Sequence, residues 1–254
     1  MSLTVSIITA VYNNAGTIGP CLESVSSQTH TDIEHIVIDG GSKDGTVDIV
    51  KNFGGNIAKF FSEADNGVYD AMNKGLKLVT GDIIGILNGD DFYPDPNILA
   101  KVAGAFDDPS VDSCYGDLVY VDRNDTSRTV RYWKAGPYNY RKFFWGWMPP
   151  HPTFFVRRAV YQKYGHFNLA LGTAADYELI LRFLVKHRIA ATYIPEVLVK
   201  MRTGGISNVT LKNRLRANRM DRYAWKVNDL RPYPWTTYLK PARKIAQFFV
   251  CPLS

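Results

Sequence analysis

The sequence predicts an α/β fold, with a mixed, mostly parallel central sheet flanked by helices and a helical extension at the C-terminus. Three observations carry this. Over the first 120 residues, β-rich runs alternate with single short helical segments, the connection that parallel strands require. Several of these runs end on Gly, Asp and Asn, where the chain must turn. A chain of 254 residues, 46% hydrophobic and 21% charged, can bury one large core and carries no signature of disorder.

The elements follow in order. Leu3–Thr9 is β-rich and leads into the polar turn Tyr12-Asn13-Asn14, and Thr17–Ser27 reads as a helix. Ile33–Ile38 is a second strand, ending on Asp39-Gly40-Gly41-Ser42. Thr46–Phe53 is a helix with Asp44 or Ser42 available as its cap. Ala58–Ser62 is a short strand, Val68–Val79 a helix closed by Gly81, and Asp82–Leu87 a strand ending on Asn88-Gly89-Asp90-Asp91. Beyond Pro94 the pattern loosens to a helix at Asn97–Phe106, a strand at Val111–Gly116 and a hairpin over Leu118–Trp133. Thr153–Val156 is a buried strand and Ala159–Tyr164 a short helix. Ala174–His187 is an amphipathic helix with Tyr177, Leu181, Leu184 and Val185 on one stripe, and Tyr193–Val199 is a late strand. No repeat or linker interrupts the chain. The expected organisation is a domain over 1–205, with a ligand-binding half 1–117 and a second half 118–205, followed by a basic amphipathic extension over 206–254.

Charge divides the chain more sharply than composition does. Residues 1–122 hold 6 Lys+Arg and 18 Asp+Glu, whereas residues 123–254 hold 24 Lys+Arg and 6 Asp+Glu. The two halves therefore suit different partners. Three dispersed cysteines, Cys21, Cys114 and Cys251, form neither a disulfide framework nor a zinc pattern and suggest a reducing compartment. Neither a spanning helix nor a secretory signal is expected, so the expected location is the cytoplasm.

In open α/β sheets, ligands bind beyond the carboxyl ends of the strands. Three such ends carry Tyr12-Asn13, Asp39 and Asp90-Asp91. Adjacent carboxylates at a strand end repel unless a cation or donors offset them, and hard oxygens suit Mg²⁺ or Mn²⁺ beside a phosphate. A helix or turn cap explains the same pair equally well, and Asp44 capping explains the second half of the Asp39–Thr46 turn. Neither accounts for Asp39.

These segments together resemble the inverting glycosyltransferases of family 2, whose nucleotide-sugar-binding fold is called GT-A. The opening VSIITAVYNN, the IDGGSKDGT segment and the GDIIGILNGDD segment stand in the family's order, and SEADNGVYDAMNKGLKLVTGD resembles a subgroup of bacterial exopolysaccharide and O-antigen synthesis. The resemblance covers roughly residues 3–205.

It implies roles residue by residue. Ala10 and Tyr12 would contact base and ribose, and Asp39 would accept a hydrogen bond from the base, most simply uracil. Asn88 stands at the first aspartate of the family's D-x-D motif and Asp90 at the second. Metal binding, by Mn²⁺ or Mg²⁺, would then rest on Asp90 and Asp91, with affinity lowered because Asn88 brings no charge. Asp65, Asn73 and Lys74 would line the diphosphate side, each with a cap, helix-surface or structural bond as the competing explanation. Asp176 stands where the family carries its catalytic base, although by itself it reads as a helix cap. Glu178, two residues on, points elsewhere. The HPTFF stretch lies by the acceptor in the family, so Trp147 and His151 would be acceptor-side. Arg202, in Arg202–Ser207, would stabilise the leaving pyrophosphate.

The implied activity is non-processive transfer from a nucleotide-diphosphate sugar, most simply a UDP-sugar, to a saccharide hydroxyl. The acceptor would be linked to polyprenyl pyrophosphate at the cytoplasmic face of the inner membrane. The processive members' Gln-x-x-Arg-Trp motif is missing. A sugar-1-phosphate nucleotidyltransferase and a non-catalytic binding protein on the same fold are the alternatives. The first lacks its Gly-rich loop, with Ala10–Asn14 in that place.

Residues 200–254 hold 12 Lys+Arg and 2 Asp+Glu. A basic helix over 213–226 and an amphipathic one over 238–250 suit an anionic membrane surface, or a helix laid on the catalytic domain. No helix-turn-helix, RNP or zinc pattern supports nucleic acid. The oligomeric state, a homo-oligomer included, is open.

Overall fold

The computed structural model describes residues 2–204 and 211–247. The first half is the alternation that the sequence predicts. Strand β1 (Val5–Val11) pairs in parallel with β2 (Ile33–Asp39) and β4 (Ile83–Ile86), and β2 pairs in parallel with β3 (Lys59–Ser62). Helices α1 (Ile18–Ser26), α2 (Thr46–Asn52) and α3 (Val68–Leu76) connect them. The period of two along β1 feeds two cores. Val5, Ile7 and Val11 pack with Cys21 and Leu22 of α1 on one face, while Ile8 and Ala10 pack with Met72 and Leu76 of α3 on the other.

Polar side chains inside this sheet are tied down. Glu34 accepts hydrogen bonds from Ser6 Oγ at 2.6 Å, the Thr80 amide at 2.7 Å and Lys59 Nζ at 2.8 Å. Burial works against its charge, but those bonds outweigh it and hold the carboxyl at about 2. His35 pairs with Thr9 Oγ1 at 2.9 Å, and burial lowers its pKa to about 4.

The second half closes the sheet in mixed sense. A two-residue strand β5 (Asp91–Phe92) and helix α4 (Ile98–Ala105) lead to β6 (Ser113–Val121), which forms the expected hairpin with β7 (Thr129–Trp133). Strand β8 (Phe155–Arg157) lies antiparallel between β4 and β6, and α5 (Arg158–Tyr164) follows it. The last strand, β9 (Ala191–Arg202), runs parallel to β6 and antiparallel to β5. The order is β3-β2-β1-β4-β8-β6-β9-β5, with β7 beside β6. The expected division between 117 and 118 falls inside β6.

One sequence expectation is revised here. Residues 174–187 form α6 (Ala175–Leu181) followed by a π-helical turn, Arg182–Lys186. This segment is buried almost all round rather than amphipathic. The cause lies downstream. Helices α7 (Leu211–Val227) and α8 (Thr236–Ala246) fold back on the domain, and Ala224 and Trp225 are part of its main core. Trp225 Nε1 donates to the Tyr177 hydroxyl at 2.9 Å, and Lys240 Nζ lies 3.6 Å from the Tyr177 ring centre. Against the turn at Gly146, the α8 backbone is so close that a Cβ there would meet the Lys240 nitrogen at 2.5 Å. Among the described residues, no helix is long and apolar enough to cross a membrane. Cys21 and Cys114 are free and buried. Cys251, Phe248, Phe249 and residues 205–207 of the predicted late loop lie outside the described residues.

Candidate active site

The carboxyl ends of β1 and β2 bring the first group together. Tyr12 is 58% exposed. A Cβ built on Gly40 would lie 2.5 Å from Asp65 Oδ2 and 3.3 Å from Tyr12 Cδ2, so Tyr12, the Gly40 backbone and Asp65 share one small surface. Asp65 Oδ1 accepts the Gly67 amide at 2.8 Å. Ala10 lies under this surface in β1, and its carbonyl accepts the Gly89 amide at 3.0 Å.

Asp39 ends β2. It is fully buried. Its Oδ2 accepts Ser62 Oγ at 2.6 Å and the Ser42 and Gly41 amides at 2.9 and 3.1 Å, while Oδ1 accepts Ser42 Oγ. The carboxylate thus fastens the turn that Gly41 makes with φ +83°. A base would reach it only through the remaining lone pair of Oδ1.

Two further residues predicted for the diphosphate side are engaged by the protein. Asn73 clasps the Phe167 backbone, donating to its carbonyl at 2.9 Å and accepting its amide at 3.0 Å. Lys74 pairs with Glu63 at 2.8 Å and donates to the Ala64 carbonyl at 3.0 Å.

At the end of β4, Asn88 Nδ2 donates to Asp91 Oδ2 at 3.2 Å. Asp91 is fully buried, whereas Asp90 is half-buried. Burial raises the Asp91 carboxyl well above the usual range, the neighbouring Asp90 charge adds to this, and the Asn88 bond and Arg202 oppose it. Arg202 closes this end. It is buried, donates to the Asp90 carbonyl at 2.6 Å and lies 4.7 Å from the Phe92 ring centre. It sits on β9, with its backbone paired to Val121.

The oxygens here fit a hard cation. Asn88 Oδ1 and Asp91 Oδ1 are buried with no hydrogen-bond partner, next to the more accessible Asp90 carboxylate. No cluster of three or more His, Cys, Asp or Glu suited to a metal occurs among the described residues. One or two carboxylates completed by a phosphate ligand is a common arrangement for Mg²⁺.

Asp176 opens α6 and its charge reaches three groups from different elements. It raises the Tyr69 hydroxyl, already pushed up by burial. It partly offsets the burial that lowers His151. It also acts on Tyr120, where burial raises the hydroxyl, Arg131 opposes and Asp91 adds to the rise. Arg131 covers the Tyr120 ring at 3.6 Å. Sequence reasoning missed Tyr69, Tyr120 and Arg131. Their signal, two tyrosines and a cation in periodic segments, is indistinguishable from ordinary core and surface patterning.

The remaining residues have clear places. Glu178, as expected, points away, in a two-pronged pair with Arg182 at 3.0 Å. His151 is buried with its ring edge-on to Phe167 at 5.5 Å. Trp147, expected beside the acceptor, is a core residue. It is 5% exposed, packs edge-on to Phe143 at 5.1 Å and donates Nε1–H to the Ala135 carbonyl at 2.7 Å.

The sequence profile described as "Glycosyl transferase family 2" matches residues 6–165, which carry β1 through α5 and all of the strand-end constellations. The chain is a family 2 glycosyltransferase. A "PGL/p-HBAD biosynthesis glycosyltransferase" of Mycobacterium bovis is 31% identical to this transferase over 209 residues, 80% of this chain and 78% of that protein. An uncharacterised glycosyltransferase of Mycobacterium tuberculosis is 36% identical over 186 residues, covering 70% and 68%.

Solved structures share the transferase's GT-A fold. Staphylococcus aureus TarS residues 1–349 in complex with UDP superpose with a TM-score of 0.68 at 18% identity, covering 90% of this chain and 67% of that one. A Pyrobaculum calidifontis mannosyltransferase in complex with GDP-Man and Mn²⁺ gives 0.65 at 18% identity, covering 100% and 77%.

Proposed function

We propose that this glycosyltransferase is inverting and non-processive, and that it moves a sugar from a nucleotide-diphosphate sugar, a UDP-sugar first, to a saccharide hydroxyl. The buried, unpartnered oxygens of Asn88 and Asp91 beside the Asp90 carboxylate, at the carboxyl end of β4, carry the reading. They support a donor-phosphate end at β4, to which the proposal adds a proton acceptor at the start of α6. The nucleoside would lie on Tyr12, Gly40 and Asp65, with Ala10 beneath and Asp39 fixing the turn. Asn73 and Lys74 would bound the diphosphate side through the contacts that they already make.

Asp90, with Asp91 and Asn88 behind it, would hold the Mn²⁺ or Mg²⁺. A divalent ion there supplies positive charge to the diphosphate oxygens. Arg202, anchored on the Asp90 carbonyl, would add a fixed positive charge beside the same oxygens. Asp176 takes the proton from the acceptor hydroxyl as that oxygen bonds to the anomeric carbon. The bond to the diphosphate breaks with its electron pair leaving on the nucleotide, so one displacement inverts the centre. A positioned base of this kind contributes about 10²–10⁴-fold. Tyr69 and His151 would border the acceptor, with Trp147 supporting the wall from behind.

The acceptor is proposed to be a lipid-pyrophosphate-linked saccharide of cell-surface polysaccharide synthesis, met at the cytoplasmic face of the membrane by a peripherally bound enzyme. The basic second half supports this. Thermal unfolding with Mn²⁺ and UDP-, GDP-, dTDP- or CMP-sugars tests the donor. A matching donor at 100 times its Kd stabilises by about 2.7 kcal/mol. A flat response to all four, with no sugar released from any, would overturn the reading.

A further inference from the structure

We propose that the exposed aromatic and basic face where the α7–α8 connection meets the 140–145 turn docks on an anionic lipid bilayer. This rests on the peripheral membrane binding proposed above and names the face that makes it; it stands whatever the donor and the acceptor saccharide are.

Trp145, Tyr233 and Trp235 are 52%, 46% and 45% exposed, and Tyr238 beside them is 60% exposed. Their rings are already arranged. The Tyr233 and Trp235 centroids are 5.2 Å apart, and Trp145 lies 6.0 Å from Trp235 and 6.3 Å from Tyr233. Rings already packed at tilted and edge-on angles have little side-chain freedom to lose on docking. Trp and Tyr combine an apolar ring with a polar edge and favour the bilayer–water boundary. The exposed Phe61, Val68, Val130 and Leu169 all lie on other segments.

Basic side chains frame the rings. Arg141 and Arg188 line a groove of 360 Å³ with Trp145 and Tyr233. Arg222, Lys226 and Arg231 line the neighbouring depression. The only two acids of residues 200–254 are both paired, Asp221 with Lys240 at 2.9 Å and Asp229 with Lys186 at 3.1 Å. The face therefore meets its partner with a cationic surplus, complementary to anionic headgroups. A single-stranded nucleic acid needs free ring faces for its bases, and these rings lie against one another.

The sequence leaves the basic segments 213–226 and 238–250 open to a membrane surface or to packing on the domain, and the face proposed here draws on the connection between them and on Trp145. The start of α8 is turned into the protein, with Thr236 and Thr237 buried and Thr236 Oγ1 donating to the Phe144 carbonyl at 2.7 Å. Tyr233 and Trp235 precede α8, Tyr238 lies in its first turn, and Trp145 ends the 140–145 turn.

The test is co-sedimentation of the full chain with phosphatidylcholine vesicles, with and without about one-third phosphatidylglycerol. Binding is expected only to the anionic vesicles and falls as salt rises. Each basic side chain at an anionic surface contributes about 5-fold, so Arg141→Gln, Arg188→Gln and Arg231→Gln together weaken binding by about 100-fold. Trp145→Ala with Trp235→Ala weakens it by at least about 10-fold. Unchanged thermal unfolding shows that each variant is folded, and unchanged donor binding separates this result from the catalytic reading. Failure of the wild type to bind, equal binding to neutral vesicles, an unaffected triple variant, or displacement by a single-stranded oligonucleotide at matched charge would each overturn the proposal.

Discussion

Gly40→Ala is the sharpest probe of the donor surface, because one methyl group tests three positions. Gly40 is outside the left-handed region, so alanine suits its backbone. The new Cβ would lie 2.5 Å from Asp65 Oδ2, 3.1 Å from Asp65 Cγ and 3.3 Å from Tyr12 Cδ2, where ordinary contact begins at 3.4 Å. The Tyr12 ring can yield the small shortfall. The Asp65 carboxylate must swing by about 0.9 Å, which strains the 2.8 Å bond between Oδ1 and the Gly67 amide. Losing one charge-assisted contact costs about 1.5–3 kcal/mol, so donor affinity should fall by about 10–100-fold. Global stability should change by less than about 1 kcal/mol, since alanine restricts the unfolded chain. Calorimetric titration of the donor with metal, beside Asp65→Ala as the reference, reads the effect. Donor affinity within about 2-fold of wild type in both variants, by the same contact arithmetic, would refute the assignment of Tyr12, Gly40 and Asp65 to the donor.

Asp176→Asn should lower turnover by about 10²–10⁴-fold and leave donor affinity intact; near-normal turnover would move the base elsewhere. Sugar transfer should stop in excess chelator and return with Mn²⁺, and undiminished transfer in EDTA would remove the metal from the scheme. Glu34→Gln should destabilise by about 2–3 kcal/mol at neutral pH, because it removes a buried, multiply bonded carboxylate beside Lys59. The folded pKa of Glu34, about 2, lies below its ordinary value, so its stabilisation is full above about pH 4.5 and is lost as pH falls through 2. The gap between variant and wild type in urea unfolding should therefore narrow from pH 7 to pH 2.5, whereas a constant gap would rule out the charge as its source. Trp225→Ala should cost about 3–5 kcal/mol in the same measurement.

Local periodicity made the first half readable. The alternation along β1, β2 and β4 belongs to parallel strands with a helix on each crossover, and the glycine- and acid-rich strand ends marked the cleft. What stayed hidden depends on partners distant in sequence. The parallel pairing of β6 with β9 joins segments about 80 residues apart, and nothing local announces it. Trp147 reads as an exposed aromatic in a proline-rich loop until Tyr115 and Phe143 enclose it. Asp39 was recognisable as special, but the serines that occupy its oxygens come from its own turn and from β3. The polar positions of residues 174–187 suggested an exposed side, because Trp225 and Asn228, which cover it, arrive some 50 residues later.

That late arrival sets a schedule for making the enzyme. Tyr177 and Trp225 are 48 residues apart and both are sealed from water. At ribosomal rates of about 5–20 residues per second, the helix bearing Asp176 waits about 2–10 s for its cover. During that interval, apolar side chains that belong inside stay open to chaperones or to neighbouring nascent chains. A chain released before α7 is complete would carry every strand-end motif and still lack the cover over the helix that bears the proposed base.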